Sequence, residues 1–315
     1  MAGVESNAVH RALVIGYGSI GQRHARVLEG LGHDVAVVSR RAVEHPHRFP
    51  ELAAALATHK PDYAVIANET ALHRQTFRAL KAAGFVGTVL VEKPLFHDLA
   101  ADDARAEPRT FVAYNLRFHP LLLRLREWLQ GRALVAASIH VGQHLATWRP
   151  QRDFRQSYSS RRALGGGVLR DLSHELDYAT WLFGRWRRVA ALGGASGALG
   201  IDADDRWSIL LECERCPQVS VTLSYLDHAP RRQIAVNARD DSAVVEFFTS
   251  TFSAGDGKNP ERIEVDREES YRRQHAAILS GQPGAACTYA EGYATLRLID
   301  AVERAASERR WLEAA

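Results

Sequence analysis

Three residues in two distant segments could carry out acid–base chemistry on an oxygen atom: Lys93, Asp171 and His174. An ammonium group can stabilise a developing negative charge on oxygen, and an imidazole can exchange a proton near neutral pH. We expect the three side chains to meet in one cleft, where Lys93 polarises the oxygen, His174 exchanges the proton and Asp171 helps to hold the reacting molecule. The alternative for each residue is an ordinary solvated side chain.

A glycine-rich turn near the N-terminus could bind a dinucleotide. The sequence GYGSIG (16–21) lies between a β-branched apolar run, RALVIG, and a segment with helical spacing that stops at Gly32. In that setting the first glycine forms a tight turn, the second admits the pyrophosphate, and the third lets helix and strand pack closely. The phosphates would bind the amides at the helix N-terminus. The alternative is a turn with a structural role alone. The predicted cofactor contacts are Gly16, Gly18, Ser19, Ile20 and Gly21.

The end of the second predicted strand favours one cofactor. A ribose 2′-hydroxyl is normally bound there by an acidic residue, whereas a 2′-phosphate is bound by arginine. This strand ends in Ser39, Arg40 and Arg41, and the nearby acid, Asp34, lies at its beginning. We therefore predict that these three residues bind a 2′-phosphate and that NADP(H) is preferred, with NAD(H) possible.

Up to about residue 118, segments typical of strands alternate with segments typical of helices, which predicts a doubly wound parallel sheet. The strand expected after Arg41 has little room and should be short. Glu92-Lys93-Pro94 closes the fifth strand, and the carboxyl ends of parallel strands are where such sheets bind ligands. Lys93 should therefore lie at the nicotinamide end of the crevice, and Pro94 permits a cis peptide bond.

From about residue 119 the pattern changes. A helix and a strand are followed by an irregular stretch at 147–162, by a helix that begins near Gly167 and by several strand-like runs in succession. Consecutive strands without intervening helices favour a mainly antiparallel sheet. We predict two domains: a dinucleotide-binding domain at 1–118 and a substrate-binding and oligomerisation domain of α+β type at 119–315.

The helix near Gly167 should carry apolar side chains on one stripe and polar ones on the other side. The apolar stripe consists of Leu172, Leu176, Ala179 and Phe183. The polar side consists of Asp171, His174, Asp177 and Tyr178. On an ordinary surface helix the polar side faces solvent. A ligand is favoured instead by three glycines at 165–167, which permit close approach, and by the preceding aromatic residues Trp148, Phe154 and Tyr158.

Composition argues against several classes of protein. The formal net charge is +3 and the arginine pairs are scattered, so the basic patch of a nucleic-acid-binding protein is missing. No apolar stretch of about 18 residues and no leader pattern occur, so we expect a cytoplasmic protein with no membrane partner. Three cysteines, an odd number, argue against a disulfide framework. Cys213 and Cys216 lack the further ligands of a structural zinc site, so no metal is expected.

Four segments, in this order, resemble the glucose-fructose oxidoreductase / inositol dehydrogenase / rhizopine-catabolism (Gfo/Idh/MocA) family: GYGSIGQRH, VEKPL, YNLRFHP and GGGVLRDLSHELD. The resemblance spans nearly the whole chain. It implies a Rossmann domain, a second α/β domain whose open sheet often forms the contact in a homodimer or homotetramer, and NAD(P)-dependent hydride transfer on sugars, cyclitols and related carbonyl compounds. It also implies that Lys93 hydrogen-bonds the reacting oxygen and that His174 is the proton donor or acceptor.

The resemblance extends to further residues. Asn68 and His73 resemble a segment that lines the nicotinamide ribose, with Glu69 in place of the usual proline. Glu92 joins Lys93 among the expected cofactor contacts. Residues at the domain crossover could contact cofactor or sugar, or could form a polar hinge; they are Asn115, Arg117 and His119. The expected substrate contacts are Asn115, Arg117, Trp148, Tyr158, Asp171 and His174.

One spacing departs from the family. The family's aspartate precedes its histidine by four residues, whereas Asp171 precedes His174 by three, and Glu175 stands in the expected position. The spacing from His174 to Asp177 is intact, so we align the histidine and infer a one-residue deletion before it. The surrounding sequence resembles a subgroup of sugar-modifying enzymes linked to surface polysaccharides and nonulosonic acids.

Two other interpretations remain open at this point. A nucleotide-bound regulator could sense redox state or a sugar without turnover, since one fold hosts both uses. The shortened spacing at Asp171 favours it, but a sensor needs neither Lys93 nor His174. The third interpretation is a structural subunit of a larger complex.

Overall fold

The computed structural model describes residues 8–105, 107–148, 150–151 and 153–314, so Arg149 and Arg152 of the irregular stretch lie outside the described residues. The described part of that stretch contains short 3-10 turns at Phe154–Gln156 and Tyr158–Ser160. The strands and helices are β1 (Arg11–Ile15), α1 (Ser19–Gly30), β2 (Asp34–Val38), β3 (Arg48–Phe49), α2 (Leu52–His59), β4 (Tyr63–Ile66), α3 (Thr70–Ala82), β5 (Thr88–Val91), β6 (Thr110–Val112), α4 (Pro120–Trp128), β7 (Leu134–Gly142), α5 (Val168–Asp171), α6 (His174–Phe183), β8 (Trp186–Gly194), β9 (Arg206–Cys213), β10 (Gln218–Ser224), β11 (Arg231–Ala238), β12 (Ser242–Glu246), β13 (Thr251–Ala254), β14 (Glu261–Arg262), α7 (Glu269–Leu279), β15 (Cys287–Thr288), α8 (Tyr289–Glu308) and β16 (Leu312–Glu313).

The first of two compact units comprises residues 8–97, 105–118 and 267–290. Its seven-stranded sheet has the order β15-β6-β5-β4-β1-β2-β3, and all neighbouring strands are parallel except β15 and β6. The central strands are apolar and buried throughout, as in β4, because both faces of a parallel sheet are covered. The predicted parallel sheet is confirmed, and β3 is as short as expected.

A late segment of the chain completes this unit. Helix α7 packs against α1 and against the 3-10 turn Asn115–Phe118, and β15 adds an antiparallel edge to β6. Ile278 and Ala286 enter the same hydrophobic core as Val14 and Leu28. The predicted division at residue 118 placed 267–290 in the second domain, whereas these contacts group that segment with the first unit.

The second unit comprises residues 98–104, 119–266 and 291–314. Its nine-stranded sheet has the order β14-β13-β12-β11-β7-β10-β9-β8-β16, and only β7 and β10 are parallel neighbours, which confirms the mainly antiparallel sheet. Side chains alternate between a buried face, against which α4, α5 and α6 pack, and an open face that includes Leu192 and Leu210. None of the described helices combines the length and the apolar character needed to cross a bilayer.

The single helix predicted from Gly167 is wrong in one respect, because the structure has two helices, α5 and α6, separated by a turn at Leu172 and Ser173. The turn is tightened by bonds between residues three apart: Ser173 N–H donates to the Arg170 carbonyl, and Glu175 N–H donates to that of Leu172. The polar side is not a solvent face either, since Asp177 and Tyr178 are buried like the apolar stripe.

Candidate functional site

The glycine turn between β1 and α1 has two positions that the protein itself requires to be glycine. Gly16 has a φ of +97°, and a Cβ there would lie 2.6 Å from the Asn68 nitrogen. A Cβ on Gly21 would lie 2.0 Å from the Gly16 carbonyl oxygen. A Cβ on Gly18 would meet no described atom within 4 Å. The backbone at Gly18 is therefore open to approach from outside, as a bound pyrophosphate requires.

The N-terminus of α1 adds donors to this opening. Gly18 is the N-cap residue and has no side chain to cap the first turn, which Ser19, Ile20 and Gly21 begin. The early amides of a helix have no carbonyl partner within the helix, so they attract anions. Asn68, at the end of β4, donates from Nδ2 to Thr76 at 2.7 Å, while its buried Oδ1 accepts no hydrogen bond from the described residues. These features fit a dinucleotide.

The end of β2 presents arginines and no acid. Arg40 and Arg41 are exposed, and the Ser39 hydroxyl donates to the Arg41 carbonyl at 3.0 Å. A third arginine, Arg48 of β3, lies beside them, with Nε 3.3 Å from the Ser39 carbonyl oxygen. Sequence reasoning missed Arg48 because the two-residue strand that carries it has no recognisable pattern. Arginines suit a phosphate because their charge strengthens each hydrogen bond.

Lys93 follows β5 at the carboxyl edge of the sheet, and its peptide bond to Pro94 is cis. His73 of α3 ties this segment to the end of β4, since its Nδ1 lies 3.1 Å from the Pro94 carbonyl oxygen and its Nε2 lies 3.2 Å from that of Asn68. Burial lowers the pKa of His73 below its ordinary value, although the charge of Glu92 and the neighbouring carbonyls act to raise it. Both ring nitrogens of His73 thus face the backbone of the two loops.

Glu92 points into the protein beside Lys93. Its Oε1 lies 2.8 Å from His24 Nε2, and its Oε2 accepts the Lys93 N–H at 3.0 Å. Burial alone would raise the pKa of Glu92, but the hydrogen bond from His24 and the charge of Lys93 hold it below the usual value. Sequence reasoning overlooked His24, although it ends the glycine motif.

Of the residues predicted at the crossover, Asn115 and Arg117 are buried and His119 is partly buried. Asn115 donates to the Ser270 hydroxyl of α7 at 2.7 Å, and Arg117 is 2% exposed. His119 caps α4, where its Nδ1 accepts the Leu121 N–H at 3.3 Å. Asn115 and Arg117 lie in the first unit and His119 in the second.

In the second unit a buried tyrosine brings two predicted substrate residues together. Tyr225, which follows β10, donates from its hydroxyl to Asp171 Oδ2 at 2.5 Å, and its ring meets that of Trp148 edge-on at 5.2 Å. The Trp148 indole nitrogen is buried and has no hydrogen-bond partner among the described residues. Burial raises the pKa of Tyr225 well above its usual value, and the negative charge of Asp171 raises it further. The phenol therefore keeps its proton and remains a hydrogen-bond donor.

His174 opens α6, and the residue after it is part of a buried ion pair. Glu175 is fully buried and accepts from Arg232 Nη2 at 2.7 Å and from the Tyr178 hydroxyl at 3.1 Å. Burial alone would lower the pKa of Arg232, but the Glu175 carboxylate raises it. The sequence offered no signal for this pair, because Arg232 is one of many arginines.

Neighbouring segments of the chain explain Gly166 and Gly167, and a φ of 88° favours glycine at Gly165. A Cβ on Gly166 would lie 2.2 Å from the Tyr158 carbonyl oxygen, and one on Gly167 would lie 2.0 Å from Asp204 Oδ1. Asp204 Oδ2 accepts the Leu169 N–H at 2.9 Å and thereby caps α5. The Tyr158 hydroxyl donates to the Gly165 carbonyl at 2.8 Å. These residues hold the backbone that presents Asp171.

Two histidines that lie four residues apart, His140 and His144, have other partners. His140 Nε2 lies 3.0 Å from Asp227, and His144 stacks on His228. Cys213 and Cys216 are free and buried, and burial raises the pKa of Cys213 to about 12. Within the described ranges, no three His, Cys, Asp or Glu side chains are arranged to hold a metal ion.

Two models of one protein family match the sequence. Residues 10–107 match the oxidoreductase family with an NAD-binding Rossmann fold, and residues 123–265 match the GFO/IDH/MocA C-terminal domain. Together the two matches cover well over half of the 315 residues. A comparison with curated protein sequences found no match.

Several solved structures share the fold. GenD2 from gentamicin A biosynthesis, in complex with NAD, is 22% identical in sequence with a TM-score of 0.77. The match covers 98% of this chain and 97% of GenD2. The WlbA dehydrogenase from Bordetella pertussis, in complex with NADH and UDP-GlcNAcA, is 18% identical with a TM-score of 0.78 and coverage of 98% and 99%. The aldose-aldose oxidoreductase from Caulobacter crescentus, complexed with glycerol, is 20% identical with a TM-score of 0.77 and coverage of 98% and 100%.

Proposed function

Because the chain belongs to the GFO/IDH/MocA family of NAD-binding oxidoreductases, we propose that it transfers a hydride between a nicotinamide cofactor and a hydroxyl or carbonyl carbon of a sugar, a cyclitol or a nucleotide sugar. The glycine turn carries this proposal. Gly16 and Gly21 are required by packing within the protein, whereas Gly18 is not and leaves the helix N-terminus open. A turn with a structural role alone gives no reason for a glycine at position 18.

The cofactor would be held at three places. The amides from Gly18 to Gly21 would bind the pyrophosphate, and Asn68 Oδ1 would accept a hydrogen bond from the nicotinamide ribose. At the other end, Arg40, Arg41 and Arg48 would bind a 2′-phosphate, so we propose that NADP(H) is preferred to NAD(H). Comparable catalytic efficiency with both cofactors would contradict that preference.

The protein's own groups would then handle the oxygen and the proton. When bound, the nicotinamide supplies or accepts the hydride. The Lys93 ammonium donates a hydrogen bond to the reacting oxygen and stabilises its developing charge. An imidazole nitrogen of His174 takes up the hydroxyl proton in oxidation and returns it in reduction. Asp171, held by the Tyr225 hydroxyl, accepts a hydrogen bond from a neighbouring substrate hydroxyl.

The substrate class is inferred from solved relatives of the fold. One of them binds UDP-GlcNAcA, one is an aldose-aldose oxidoreductase, and a third is a levoglucosan dehydrogenase with NADH and L-sorbose. Sugars and nucleotide sugars present several hydroxyls to Asp171 and to the indole N–H of Trp148. We further propose a homodimer or homotetramer formed through the open face of the nine-stranded sheet.

Replacing Lys93 with Met tests the function. The assay follows reduced nicotinamide with each cofactor over a panel of sugars, cyclitols and nucleotide sugars. Because methionine removes the donor and keeps the length of the side chain, we expect kcat/KM to fall on the order of 100-fold or more while cofactor affinity changes little.

Lys258→Met is the matched control, since Lys258 is exposed and pairs only locally with Asp256. It should keep wild-type turnover. Full activity in Lys93→Met contradicts the proposal. Tight cofactor binding without turnover of any panel member favours a regulator in place of an enzyme.

A further inference from the structure

A chain of four titratable side chains runs through the interior of the first unit. The Tyr63 hydroxyl oxygen lies 2.9 Å from His275 Nδ1, and His275 Nε2 lies 2.8 Å from His24 Nδ1. His24 Nε2 in turn lies 2.8 Å from Glu92 Oε1. Tyr63 and both histidines are 0% exposed, and Glu92 is 7% exposed. The chain ends at the Lys93 N–H, which Glu92 Oε2 accepts.

The carboxylate sets the direction of hydrogen bonding beside Lys93. An ionised carboxylate only accepts hydrogen bonds, so His24 carries a proton on Nε2. Burial raises the pKa of Tyr63, so the phenol keeps its proton. Burial lowers the pKa of His275, and the neighbouring His24 lowers it further, so the His275 ring stays uncharged. Of the four side chains, Glu92 therefore carries the negative charge.

The far end of the chain is closed. Tyr63 begins β4, and its side chain is completely buried, so no described member of the chain reaches solvent there. Such a chain cannot deliver protons from solvent to Glu92 during a reaction. Its effect is static, because a firmly held donor offsets the cost of burying a carboxylate charge.

Two groups hold the Glu92 carboxylate: His24 Nε2 from α1 and the backbone N–H of Lys93. We propose that Glu92, held in turn by His24 and His275, is a positioning residue that fixes the peptide of Lys93 and thereby the place of its side chain. The inference rests on the proposed function, in which the Lys93 ammonium contacts the reacting oxygen.

The variant Glu92→Gln tests this role, since it keeps the shape and one acceptor oxygen but removes the charge. Only four lysines occur, Lys60, Lys81, Lys93 and Lys258, so isotope-labelled lysine gives NMR signals that can each be assigned. We expect the Lys93 signal to move in the variant while the other three stay in place, because the Lys93 peptide loses its acceptor. In the enzyme, kcat should fall on the order of 10-fold or more with little change in KM, because a small misplacement of a group that acts on the reacting oxygen slows the reaction.

Glu107→Gln is the matched control, because Glu107 pairs with Lys81 at 2.8 Å in the same unit. It should leave the Lys93 signal in place. An unchanged Lys93 signal in Glu92→Gln overturns the proposal, even in an active enzyme. A moved Lys93 signal in a protein that turns over no substrate supports the coupling of Glu92 to Lys93 and refutes the proposed function instead.

A measurement on the unmodified protein covers the case in which Glu92→Gln does not fold. Nitrogen NMR of the imidazole rings reports which ring atoms carry protons. We expect a proton on His24 Nε2 and an uncharged His275 throughout the pH range in which the protein is folded. A bare His24 Nε2, or a charged His275, overturns the proposal.

Discussion

His119 makes the folded protein sensitive to acid through one side chain. Its unprotonated Nδ1 accepts the Leu121 N–H and caps α4. Burial and, to a smaller extent, the positive charge of Arg232 lower the pKa of His119 to about 4. Protonation would therefore remove a helix cap and place a second cation beside Arg232.

We expect this residue to account for part of the loss of stability in acid. The ordinary pKa is 6.5 and the folded value is about 4. Between these pH values the unfolded chain binds a proton that the folded chain does not, so the free energy of unfolding falls as the pH is lowered through this window. The shift corresponds to about 3 kcal/mol.

The variant His119→Asn keeps an N-cap acceptor but cannot titrate. Urea unfolding at several pH values should show that its stability falls by about 3 kcal/mol less than that of the wild type between neutral pH and pH 4. His47→Asn, at an exposed histidine, serves as the control. Parallel stability curves for wild type and His119→Asn would refute the assignment.

At the scale of single residues, short sequence patterns predicted the positions that depend only on nearby residues. Gly16, Gly21 and Lys93 follow from strand, turn and helix signals within a few residues of each, and the structure places them where those signals indicate. The contact of His24 with His275 spans 251 residues, and that of Glu175 with Arg232 spans 57. No pattern within a window of sequence reports such pairs, because only the assembled fold brings them together.

At the scale of elements, the first turn of α1 separates two requirements for glycine. A Cβ on Gly21 would collide with the Gly16 carbonyl, whereas one on Gly18 would meet no described atom, and the Gly18 φ of −77° suits any residue. We expect Gly21→Ala to lower the free energy of unfolding by about 1–3 kcal/mol through overpacking. Gly18→Ala should change it by less than about 1 kcal/mol but weaken cofactor binding about tenfold or more.

Urea unfolding and a cofactor titration by fluorescence measure the two effects separately. Each variant serves as the control for the other, since both add the same methyl group to the same turn. Unchanged cofactor affinity in Gly18→Ala would count against pyrophosphate binding at this turn.

The turn between α5 and α6 shows where periodicity stops being informative. A period of 3.6 residues assumes one continuous helix, and Asp171 and His174 lie on opposite sides of a break. The directions in which the Asp171 and His174 side chains point therefore cannot be predicted from their spacing in the sequence. The break falls in the interval where we infer a one-residue deletion from the resemblance to the family, and a turn can absorb a missing residue without rotating the whole of α6.

At the scale of the whole molecule, the open face of the nine-stranded sheet should hold copies of the chain together. Leu192 is 73% exposed and Leu210 is 47% exposed, and pairing of β8 with β9 places them on the same face. We expect the double variant Leu192→Lys, Leu210→Lys to reduce the mass measured by light scattering to that of one chain, because buried unpaired ammonium groups are costly.

Val86→Lys is the control, since Val86 is 78% exposed in the first unit. It should keep the wild-type mass. A double variant with the same mass as the wild type excludes this face as the contact.

Sequence patterns predicted both sheets but not the return of the chain. Sequence signals can at most predict that α7 is a helix and β15 a strand; they do not show which of the two units these elements join. That depends on which apolar surfaces remain uncovered, and those surfaces are formed by residues far away in the sequence. Ile278, for example, packs in the same core as Val14 and Leu28.

That return has a consequence for how the protein is made. A ribosome releases residues 8–118 long before it adds residues 267–290, although N-terminal domains generally fold first during synthesis. Until then, Tyr63 and His24 lack His275, and Val112 lacks its edge partner Cys287. The first unit is completed by residues 267–290, so a nascent chain cannot close this unit until the intervening residues 119–266 and then 267–290 have been added.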